Sequence, residues 1–536
     1  MVVGRPSRRE FTSRQQKVRR AMASVTQMSM VFDDDSSAAW NEMFSAPGSP
    51  RPIYERLFAE LNRYQLAELR QRSEQLSHTF SERGVTFAHS GEERPFPLDV
   101  VPRLIGAMEW DLLSRAIGQR VHALEAFLAD IYGDGRIFAE HVIPRSVVTS
   151  SPHFCRPAFA VDPPNGVRIT VAGIDLVRDE VGNFRVLEDN VRIPSGVSYV
   201  IENRRAMTQT FASLFSDHRV HPVDSYPAHL FAALRAAAPL NVSDPVVVVL
   251  SPGVHNAAYF EHVLLARMMG VELVEGRDLL CRSNLVYSRT TNGERPVHVI
   301  YRRVDDDWLD PLQFRSDSII GVVGLVNCAR AGNVVISNGI GNGVADDKLV
   351  YTYVPEFIRF YLSEEPLIEN VETYRLEDDD VREEVLKSLA SYVVKPVDGS
   401  GGKGIIIGPR ADEKTLAKAA EAVAAAPRNW IAQRPVMLST HPTLVDEGVS
   451  PRHIDLRPFA INDGEEVWVL PGGLTRVALG EGELVVNSSR GGGSKDTWVL
   501  NDESMPLRES RVATAQRQRN VSYGPRQDGN VGRGDQ

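Results

Sequence analysis

The sequence predicts an α/β (α+β) protein of several domains, with a mostly parallel sheet that follows a helical region. Its 536 residues exceed what a single hydrophobic core usually organises. Runs typical of short buried strands alternate with helical patterns at 246–250, 258–269, 271–274, 297–304 and 334–337. Such alternation favours a doubly wound sheet, because parallel strands need crossover connections that are usually helical.

Composition limits the classes of function. The 60 basic and 70 acidic residues give a net charge of −10, which argues against a general binder of nucleic acid or of anionic membranes. No run approaches the roughly 18 apolar residues of a membrane span. Three widely spaced cysteines, Cys155, Cys281 and Cys328, form no CxxC motif and are typical of reduced thiols in a cytoplasmic protein. Nothing in the sequence indicates an oligomeric state.

The patterns divide the chain into six segments. The first 50 residues are basic at their start and lack the apolar core of a signal peptide, so we expect a disordered tail, or a true start at Met22 or Met28. Helix-period apolar residues over 51–145 predict a helical N-terminal region. The remaining segments are an acidic hairpin region at 146–222, the alternating α/β pattern at 223–345, a glycine-loop region at 346–500 and a second disordered tail at 501–536.

An acidic hairpin carries the strongest single signal. Apolar residues alternate on both sides of a turn at 179–183, which predicts that Asp175 and Glu188 face each other and that Asn190 shares their face. Two carboxylates roughly 5 Å apart repel, so the pair needs a compensating cation. Mg²⁺ suits such oxygen ligands, because it fills its other positions with phosphates and water. An ordinary acidic surface hairpin is the alternative.

A second motif joins a strand lysine to a glycine-rich loop. Lys395 ends a β-type run, and a second β-type run begins at Ile405. The loop between them contains Gly399, Ser400, Gly401, Gly402 and Gly404. Backbone N–H groups of such a loop can close over phosphates, to which the lysine adds a positive charge. The spacing is not GxxxxGK[ST], so a Walker-type P-loop is excluded, and a purely structural hairpin is the alternative.

Together these motifs resemble the ATP-grasp superfamily. Lys395-Pro396 and its glycine loop are similar to the nucleotide lysine and flap of that superfamily, and Lys348 resembles its second phosphate lysine. Asp175, followed 13 residues later by Glu188-Asp189-Asn190, is similar to its metal site. Further similarities to its glutamate ligases and glutathione synthetases lie at 171–175, 194–196, 455–457, 476–478 and 487–493.

The order of the motifs differs from that of an ordinary member. Metal ligands normally come last, yet here they precede both lysines by more than 150 residues. This order is that of the circularly permuted ATP-grasp group, which includes relatives of glutathionylspermidine synthetase and a set of bacterial proteins without assigned function. Segments 187–204, 251–262 and 338–362 resemble the latter. The resemblance spans roughly residues 80 to 500 and implies a permuted ATP-grasp fold with a Rossmann-like pre-ATP-grasp domain at 223–345.

The resemblance implies an ATP- and Mg²⁺-dependent ligase that joins a small-molecule or peptide carboxylate to an amine through an acyl-phosphate. It implies metal ligation by Asp175, Glu188 and Asn190, and catalytic roles for Arg476 and Arg457. The expected nucleotide contacts are Lys348, Lys395, Gly399, Ser400, Gly401, Gly402, Gly404 and Gln433. A phosphotransferase that uses the same nucleotide site is the alternative function.

The expected substrate contacts come from two sources. Arg302 and Arg303 end a strand of the parallel sheet, where such sheets bind ligands. The resemblance adds Ser195, Gly196, Asn487 and Arg490. In one respect the chain departs from the superfamily, whose members usually hold the ribose with an acidic residue just after the strand that contacts adenine. The matching run, 431–438, contains no carboxylate.

Overall fold

The computed structural model describes residues 39–89, 92–399, 403–484, 486 and 492–501, apart from the side chains of 87–89 and 92–93. Its α-helices are α1 Glu55–Leu61, α2 Leu66–Arg83, α3 Ala107–Ile131, α4 Arg136–Ala139, α5 Arg145–Thr149, α6 Val197–Thr210, α7 Ala212–Ser216, α8 Tyr226–Ala236, α9 Tyr259–Met269, α10 Asp306–Leu309, α11 Leu325–Arg330, α12 Lys348–Tyr351, α13 Val354–Phe357, α14 Asp379–Lys387 and α15 Glu413–Ala425.

The strands up to the end of the parallel sheet are β1 Phe44–Ala46, β2 Ser49–Pro50, β3 Thr86–His89, β4 Glu92–Pro95, β5 Leu98–Ile105, β6 Val171–Arg178, β7 Phe184–Asn190, β8 Val247–Leu250, β9 Glu272–Val274, β10 Leu279–Arg282, β11 Leu285–Thr290, β12 Gly293–Val297, β13 Val299–Arg302 and β14 Val335–Ser337. The later strands are β15 Thr373–Arg375, β16 Val393–Pro396, β17 Ile406–Ile407, β18 Trp430–Gln433, β19 Thr440–Val445, β20 Gly448–His453, β21 Phe459–Asn462, β22 Val467–Val469, β23 Thr475–Val477 and β24 Gly493–Val499.

The parallel sheet lies where the sequence predicts it. Its strand order is β14-β13-β8-β9, and every neighbouring pair is parallel. All four residues of β8 are buried, as expected for a strand covered on both faces. Helix α9 supplies the crossover from β8 to β9. The predicted mixed α/β class is therefore confirmed.

The acidic hairpin lies inside a second, antiparallel sheet with the strand order β22-β21-β6-β7. Strand β6 is an inner strand, because β21 pairs with its start and β7 pairs along its length. All eight residues of β6 are buried. Strand β6 of the hairpin is thus part of the core, whereas β7 is mostly half-buried.

The glycine-loop region forms a compact unit that we call the lysine lobe, residues 373–433. Its antiparallel sheet has the order β15-β18-β16-β17 and packs against α14 and α15. A hydrophobic cluster of its own stabilises the lobe: Leu376, Val385, Leu389, Tyr392, Val394, Ala419, Val423 and Ala432. The strand that carries Lys395 is therefore supported by a core distinct from that of the hairpin sheet.

The N-terminal region is less helical than expected, since β3, β4 and β5 interrupt the helices between 86 and 105. Strand β5 pairs in parallel with β24, from the other end of the described chain. Apolar runs that are buried on both sides have no period that separates a strand from a helix, which is why the pattern of 98–105 misled the prediction.

Residues 39–50, which the sequence pattern assigned to the N-terminal tail, belong to the fold. They form the hairpin of β1 and β2 and bury Met43 and Glu42. We call residues 39–51 the N-terminal strap. Residues 1–38 and 502–536, the rest of the two expected tails, lie outside the described residues. Within the part of the chain that the structure describes, no helix is both long and apolar enough to cross a bilayer.

Candidate active site

The acidic hairpin has the predicted register. Asp175 pairs with Glu188 and Gly173 with Asn190 across β6 and β7. One residue is absorbed by an irregularity after Asp175, so that Leu176 pairs with Val186. Asp189 points the other way and forms a buried two-fold contact with Arg120, Oδ1 to Nε at 2.6 Å and Oδ2 to Nη2 at 2.8 Å. The alternation of strand side chains thus places Asp175 and Glu188 on one face of the hairpin and Asp189 on the other.

Two arginines contact the buried carboxylate of Asp175. Arg457 donates to both of its oxygens, from Nε to Oδ1 and from Nη2 to Oδ2 at 2.7 Å, and Arg476 Nη2 donates to Oδ2 at 2.6 Å. Burial alone would raise the pKa of the Asp175 carboxyl, but the two guanidinium groups outweigh it and hold that pKa well below its ordinary value. Asp175 is therefore ionised at any physiological pH.

Arg476 is itself fixed by a second buried acid. Its Nε donates to Oδ1 and Oδ2 of Asp455 at 2.9 and 3.0 Å. Asp455 precedes Arg457 by two residues, so one short segment provides both an arginine and the acid that orients the other arginine. A guanidinium held on one edge keeps a defined direction for its remaining N–H groups.

The hairpin side chains suit a divalent cation. Asp175 and Glu188 provide carboxylate oxygens, and Asn190 adds an amide whose buried Nδ2 has no hydrogen-bond partner among the described residues. In that part of the chain no three His, Cys, Asp or Glu side chains gather as a metal site. An ion at this place would thus depend on two acids, one amide and oxygen atoms from a ligand, which is the donor set that Mg²⁺ accepts.

Two lysines approach this cation site from other segments. Lys348 is the first residue of α12, whose N-terminus is capped by the side chain of Asp347. The Nζ atom of Lys348 lies 3.5 Å from Glu188 Oε2. The same Nζ donates to the carbonyl of Gly399 at 2.5 Å. Burial lowers the pKa of Lys395 to about 8, although the nearby Glu188 carboxylate opposes that change. Both lysines therefore place positive charge beside the acidic pair.

Beside the acidic pair and the two lysines lies a cleft of about 1000 Å³, lined by a charged group and an apolar group of side chains that we call its charged end and its apolar end. We call it the nucleotide cleft. Its charged end contains Asp175, Glu188, Lys348, Lys395, Asp455 and Arg476. Its apolar end contains Leu187, Val371, Val393, Ile405, Ile407, Val436, Leu438 and Val486. Gln433 also lines the cleft, with its Nε2 donating to Thr373 Oγ1 at 2.9 Å.

The described residues of the glycine loop lie on both sides of 400–402 and border the nucleotide cleft at Gly399 and Lys403. Gly399 lines the cleft, and so do Lys403 and Ile405 on either side of Gly404. The predicted contacts Ser400, Gly401 and Gly402 lie outside the described residues, as do the predicted substrate contacts Asn487 and Arg490. Those five assignments remain predictions.

A second cleft, of about 1260 Å³, opens from the same charged end. We call it the acceptor cleft. It shares Glu188, Lys348, Gly399 and Arg476 with the nucleotide cleft and adds Asn190, Arg457, Ser195 and Gly196. The two clefts therefore meet at the cation site, with one lysine and one arginine on their common border.

The loop 194–196 of the acceptor cleft is held by Glu261 of α9. Oε2 of Glu261 accepts hydrogen bonds from Gly196 N at 2.7 Å, Ser198 N at 3.1 Å and Ser198 Oγ at 3.0 Å. Gly196 has a φ of +113°, and an added Cβ would lie 2.9 Å from Leu474 Cδ2. Only glycine fits this position without strain.

The structure does not bring Arg302 or Arg303 into either cleft. Arg303 donates from Nη1 to the carbonyl of Pro194 at 2.8 Å and from Nη2 to Glu261 Oε1 at 3.1 Å, so it supports the loop from behind. Arg302 is fully buried and donates to the carbonyls of Asn338 and Gly339 at 2.7 and 2.8 Å. Their place at the end of β13 was read correctly, but both guanidinium groups are occupied by protein atoms.

Several further polar residues of the acceptor cleft escaped the prediction. Three of them are His153, Arg192 and Asp346. Asp346 Oδ1 accepts a hydrogen bond from Val191 N at 2.7 Å, and burial raises the pKa of its carboxyl to about 7. Asp346 precedes Asp347-Lys348, so its place next to a predicted lysine was the one available signal.

This arrangement agrees with the comparisons with known proteins. Residues 102–478 match the family model for circularly permuted ATP-grasp type 2, and the chain belongs to that family. The fold resembles a glutathione synthetase-like effector from Globodera pallida in its apo form, with a TM-score of 0.53 and 11% identity over 82% of this chain and 98% of that one.

Relatives occur in several bacteria. A protein of Mycobacterium tuberculosis, described as uncharacterised, is 62% identical over 467 residues, which cover 87% of this chain and 85% of that protein. One from Synechocystis, likewise described, is 48% identical over 87% of this chain and 98% of its own length. A Frankia casuarinae protein that carries the provisional name glutamate–cysteine ligase 2-2 is 45% identical over 86% of this chain, which spans only 53% of that longer protein.

Proposed function

We propose that this protein is an ATP- and Mg²⁺-dependent ligase that joins a carboxylate to an amine through an acyl-phosphate. The observation that carries this proposal is the meeting of two clefts at Glu188, Lys348 and Arg476. A phosphate donor in the first cleft and an acceptor in the second would react at their common border. Membership of the permuted ATP-grasp family supports the same reaction class.

The nucleotide cleft has one end for each part of ATP. Its apolar end would take the base, while Lys348 and Lys395 would contact the phosphates. Magnesium held by Asp175, Glu188 and Asn190 would supply charge neutralisation and an in-line arrangement of the transferring phosphoryl group. Because Arg457 donates to both oxygens of Asp175, part of that contact must give way when a cation binds there.

The two arginines would act on the acyl group. A substrate carboxylate oxygen attacks the γ-phosphorus and ADP leaves, which gives the acyl-phosphate. The amine nitrogen then attacks the carbonyl carbon, a C–N bond forms, and phosphate leaves with the electron pair of the broken C–O bond. Arg476, fixed by Asp455, would stabilise the oxyanion that develops on the carbonyl oxygen. Arg457 lines the acceptor cleft and would bind the carboxylate of the substrate there.

The test is a screen for ADP release with libraries of carboxylates and amines, followed by mass spectrometry of the product. A ligase yields ADP, free phosphate and a new amide. A phosphotransferase yields ADP and a phosphorylated product without free phosphate, so the two reactions are separated in one experiment.

Glu188→Ala should abolish the ATP-dependent turnover found in that screen, because Glu188 faces Asp175 across the hairpin and Lys348 across the cleft. Glu82→Ala, on the exposed face of α2, serves as the matched control and should keep full activity. An unchanged rate in the Glu188 variant would rule out the hairpin as the metal site.

A further inference from the structure

The positions of the carboxylates around the nucleotide cleft bear on how its nucleotide is selected. A carboxylate is the usual acceptor for the hydroxyl groups of a nucleotide ribose. Among the described residues, three carboxylates line the cleft, namely Asp175, Glu188 and Asp455. All three lie at the charged end, where the lysines are.

Each of these three acids is already engaged by a cation. Asp175 accepts hydrogen bonds from Arg457 and Arg476, and Asp455 accepts from Arg476. Glu188 lies 3.5 Å from Lys348 Nζ and 3.8 Å from Arg457 Nη2. These acids therefore belong to the phosphate and metal end of the cleft rather than to its sugar region.

Two other carboxylates approach the segment 434–438 that follows β18, and each has a different partner. Oε1 of Glu180 accepts from the backbone N of Met437 at 2.8 Å, and Glu180 lines a separate groove with Trp40 and Pro442. Glu372 lies 3.1 Å from Arg434 Nε and is largely exposed. The side chain that Arg434 presents to the cleft is a guanidinium, which is a donor only.

The acids next in the chain to other lining residues do not line the cleft themselves: Asp398, beside Gly399, lines the acceptor cleft, and Glu483, beside Leu484, is exposed. The run 431–438 contains no Asp or Glu, and neither do 400–402, 485 and 487–491, which lie outside the described residues. Apolar side chains such as Leu187, Val371 and Val486 pack together and line the same cleft.

We propose that the cleft recognises the base and the phosphates of its nucleotide and makes no carboxylate contact with the ribose, so that 2′-deoxyadenosine nucleotides bind nearly as well as ribonucleotides. This inference rests on the proposed function, because it takes the first cleft as the ATP site. A site built to accept a hydrogen bond from a hydroxyl group loses much affinity when that hydroxyl is removed, whereas an apolar wall loses little.

The experiment is a calorimetric titration of the full chain with ADP and with 2′-deoxy-ADP, each in the presence of Mg²⁺. We expect dissociation constants that agree within fivefold. A dissociation constant for 2′-deoxy-ADP that is fivefold or more above that for ADP would overturn the inference. If neither nucleotide binds, the inference and the proposed ATP site both fail. If both bind alike and no substrate pair gives a ligation product, the proposed reaction alone fails.

The variants Glu180→Gln and Glu372→Gln test whether either of these carboxylates contacts the ribose. Neither change should alter the ratio of the two dissociation constants. A variant that weakens the binding of ADP and leaves that of 2′-deoxy-ADP unchanged would show that the mutated carboxylate binds the 2′-hydroxyl, which contradicts the inference.

Discussion

At the scale of single residues, the site is a chain of alternating charges. Asp455 orients Arg476, Arg476 and Arg457 contact Asp175, and Glu188 faces Lys348. A buried charge without a partner is costly, so each of these groups stabilises the ionised form of its neighbour. Several side chains of the site can therefore stay buried and ionised before a charged ligand binds.

Lys395 should make the proposed binding of nucleotide sensitive to pH. Burial lowers its pKa to about 8 in the free protein, and nearby phosphates would raise that pKa again because they favour the charged form. Binding of Mg²⁺–ADP at pH 8.5 should therefore take up protons. Titration calorimetry in buffers with different ionisation enthalpies measures that uptake.

Two comparisons control this experiment. At pH 7 Lys395 is already mostly charged, so the uptake should be small. The variant Lys395→Met should show no uptake at pH 8.5, and its affinity for ADP should fall at least roughly tenfold, as expected for the loss of a charged contact. Wild-type protein that binds ADP at pH 8.5 without taking up protons would contradict the assignment.

At the scale of elements, the start of α6 depends on an acid from the parallel-sheet region. Glu261 is 1% exposed, accepts from the first amides of the helix and pairs with Arg303. The change Glu261→Gln leaves Arg303 without its counter-charge, which costs roughly 3 kcal/mol for a buried pair. Amides of 194–198 should then exchange up to about a hundredfold faster, as measured by hydrogen exchange and mass spectrometry.

A surface pair provides the control for this variant. Glu272 contacts Arg295 at 3.2 Å, and both side chains are about half exposed, at 43% and 54%. Glu272→Gln should leave the exchange of 194–198 unchanged, because exposed pairs contribute little. Equal exchange in wild type and Glu261→Gln would show that the loop is held by other contacts.

The N-terminal strap contacts several of the elements that carry the site residues. Glu42 is 4% exposed and accepts from Arg103 Nη2 at 2.6 Å, Ser439 Oγ at 2.7 Å and Arg178 Nε at 3.1 Å. Arg103 in turn donates to the backbone carbonyl of Asp455 at 3.1 Å. One carboxylate thus connects the strap with β5, with the end of β6 and, through Arg103, with the segment that carries Asp455 and Arg457.

Glu42→Gln should lower the free energy of unfolding by roughly 3 kcal/mol at pH 7, since two buried arginines lose a counter-charge. Burial would raise the pKa of Glu42, but Arg103 and Arg178 outweigh it and lower the pKa from 4.5 to about 2. The stabilisation is therefore complete above about pH 4.5 and is lost as the pH falls toward 2. Urea unfolding at pH 7 and between pH 4.5 and 3 should show the difference between wild type and variant shrinking.

Glu82→Gln is the control for the strap variant, because Glu82 is 68% exposed. It should change the free energy of unfolding by less than about 0.5 kcal/mol at either pH. A difference between wild type and Glu42→Gln that stays constant down to pH 3 would rule out the ion pair as its cause.

Local signals made part of this site predictable. A turn of defined chemistry and a period of two determine which residues face each other, so the pairing of Asp175 with Glu188 could be read from 18 neighbouring letters. The roles of Glu261 and Arg303 could not be read, since their partners at 194–198 lie more than 60 residues away. The strap was missed for the same reason, because the partners of Glu42 are up to 397 residues distant.

At the scale of the whole molecule, the nucleotide cleft joins two separately stabilised bodies. The lysine lobe has its own hydrophobic cluster, whereas Asp175 and Glu188 belong to the hairpin sheet. A ligand that contacts both bodies stabilises each of them by mass action. Nucleotide binding should therefore be coupled to the stability of the lobe.

Val394→Ala tests this coupling. Val394 is fully buried in the lobe cluster, and the loss of two methyl groups there should cost roughly 2 kcal/mol. Hydrogen exchange should accelerate in peptides from 373–433 and stay unchanged in the parallel sheet, and saturating Mg²⁺–ADP should restore protection. In the matched variant Val249→Ala, in β8, hydrogen exchange should accelerate in peptides from the parallel sheet and stay unchanged in peptides from 373–433. Faster exchange over the entire chain in Val394→Ala would mean that the lobe does not open on its own.

The pairing of β5 with β24 has a consequence for how the protein is made on the ribosome. Strand β5 is synthesised almost 400 residues before its parallel partner. For most of translation its apolar residues and unpaired backbone groups form an open edge, which is prone to aggregation. Arg457 and Arg476 are also synthesised late, so no nascent chain that ends before them contains both arginines that the proposed reaction requires. We therefore expect the yield of native protein to depend on chaperones that shield this edge until β24 emerges.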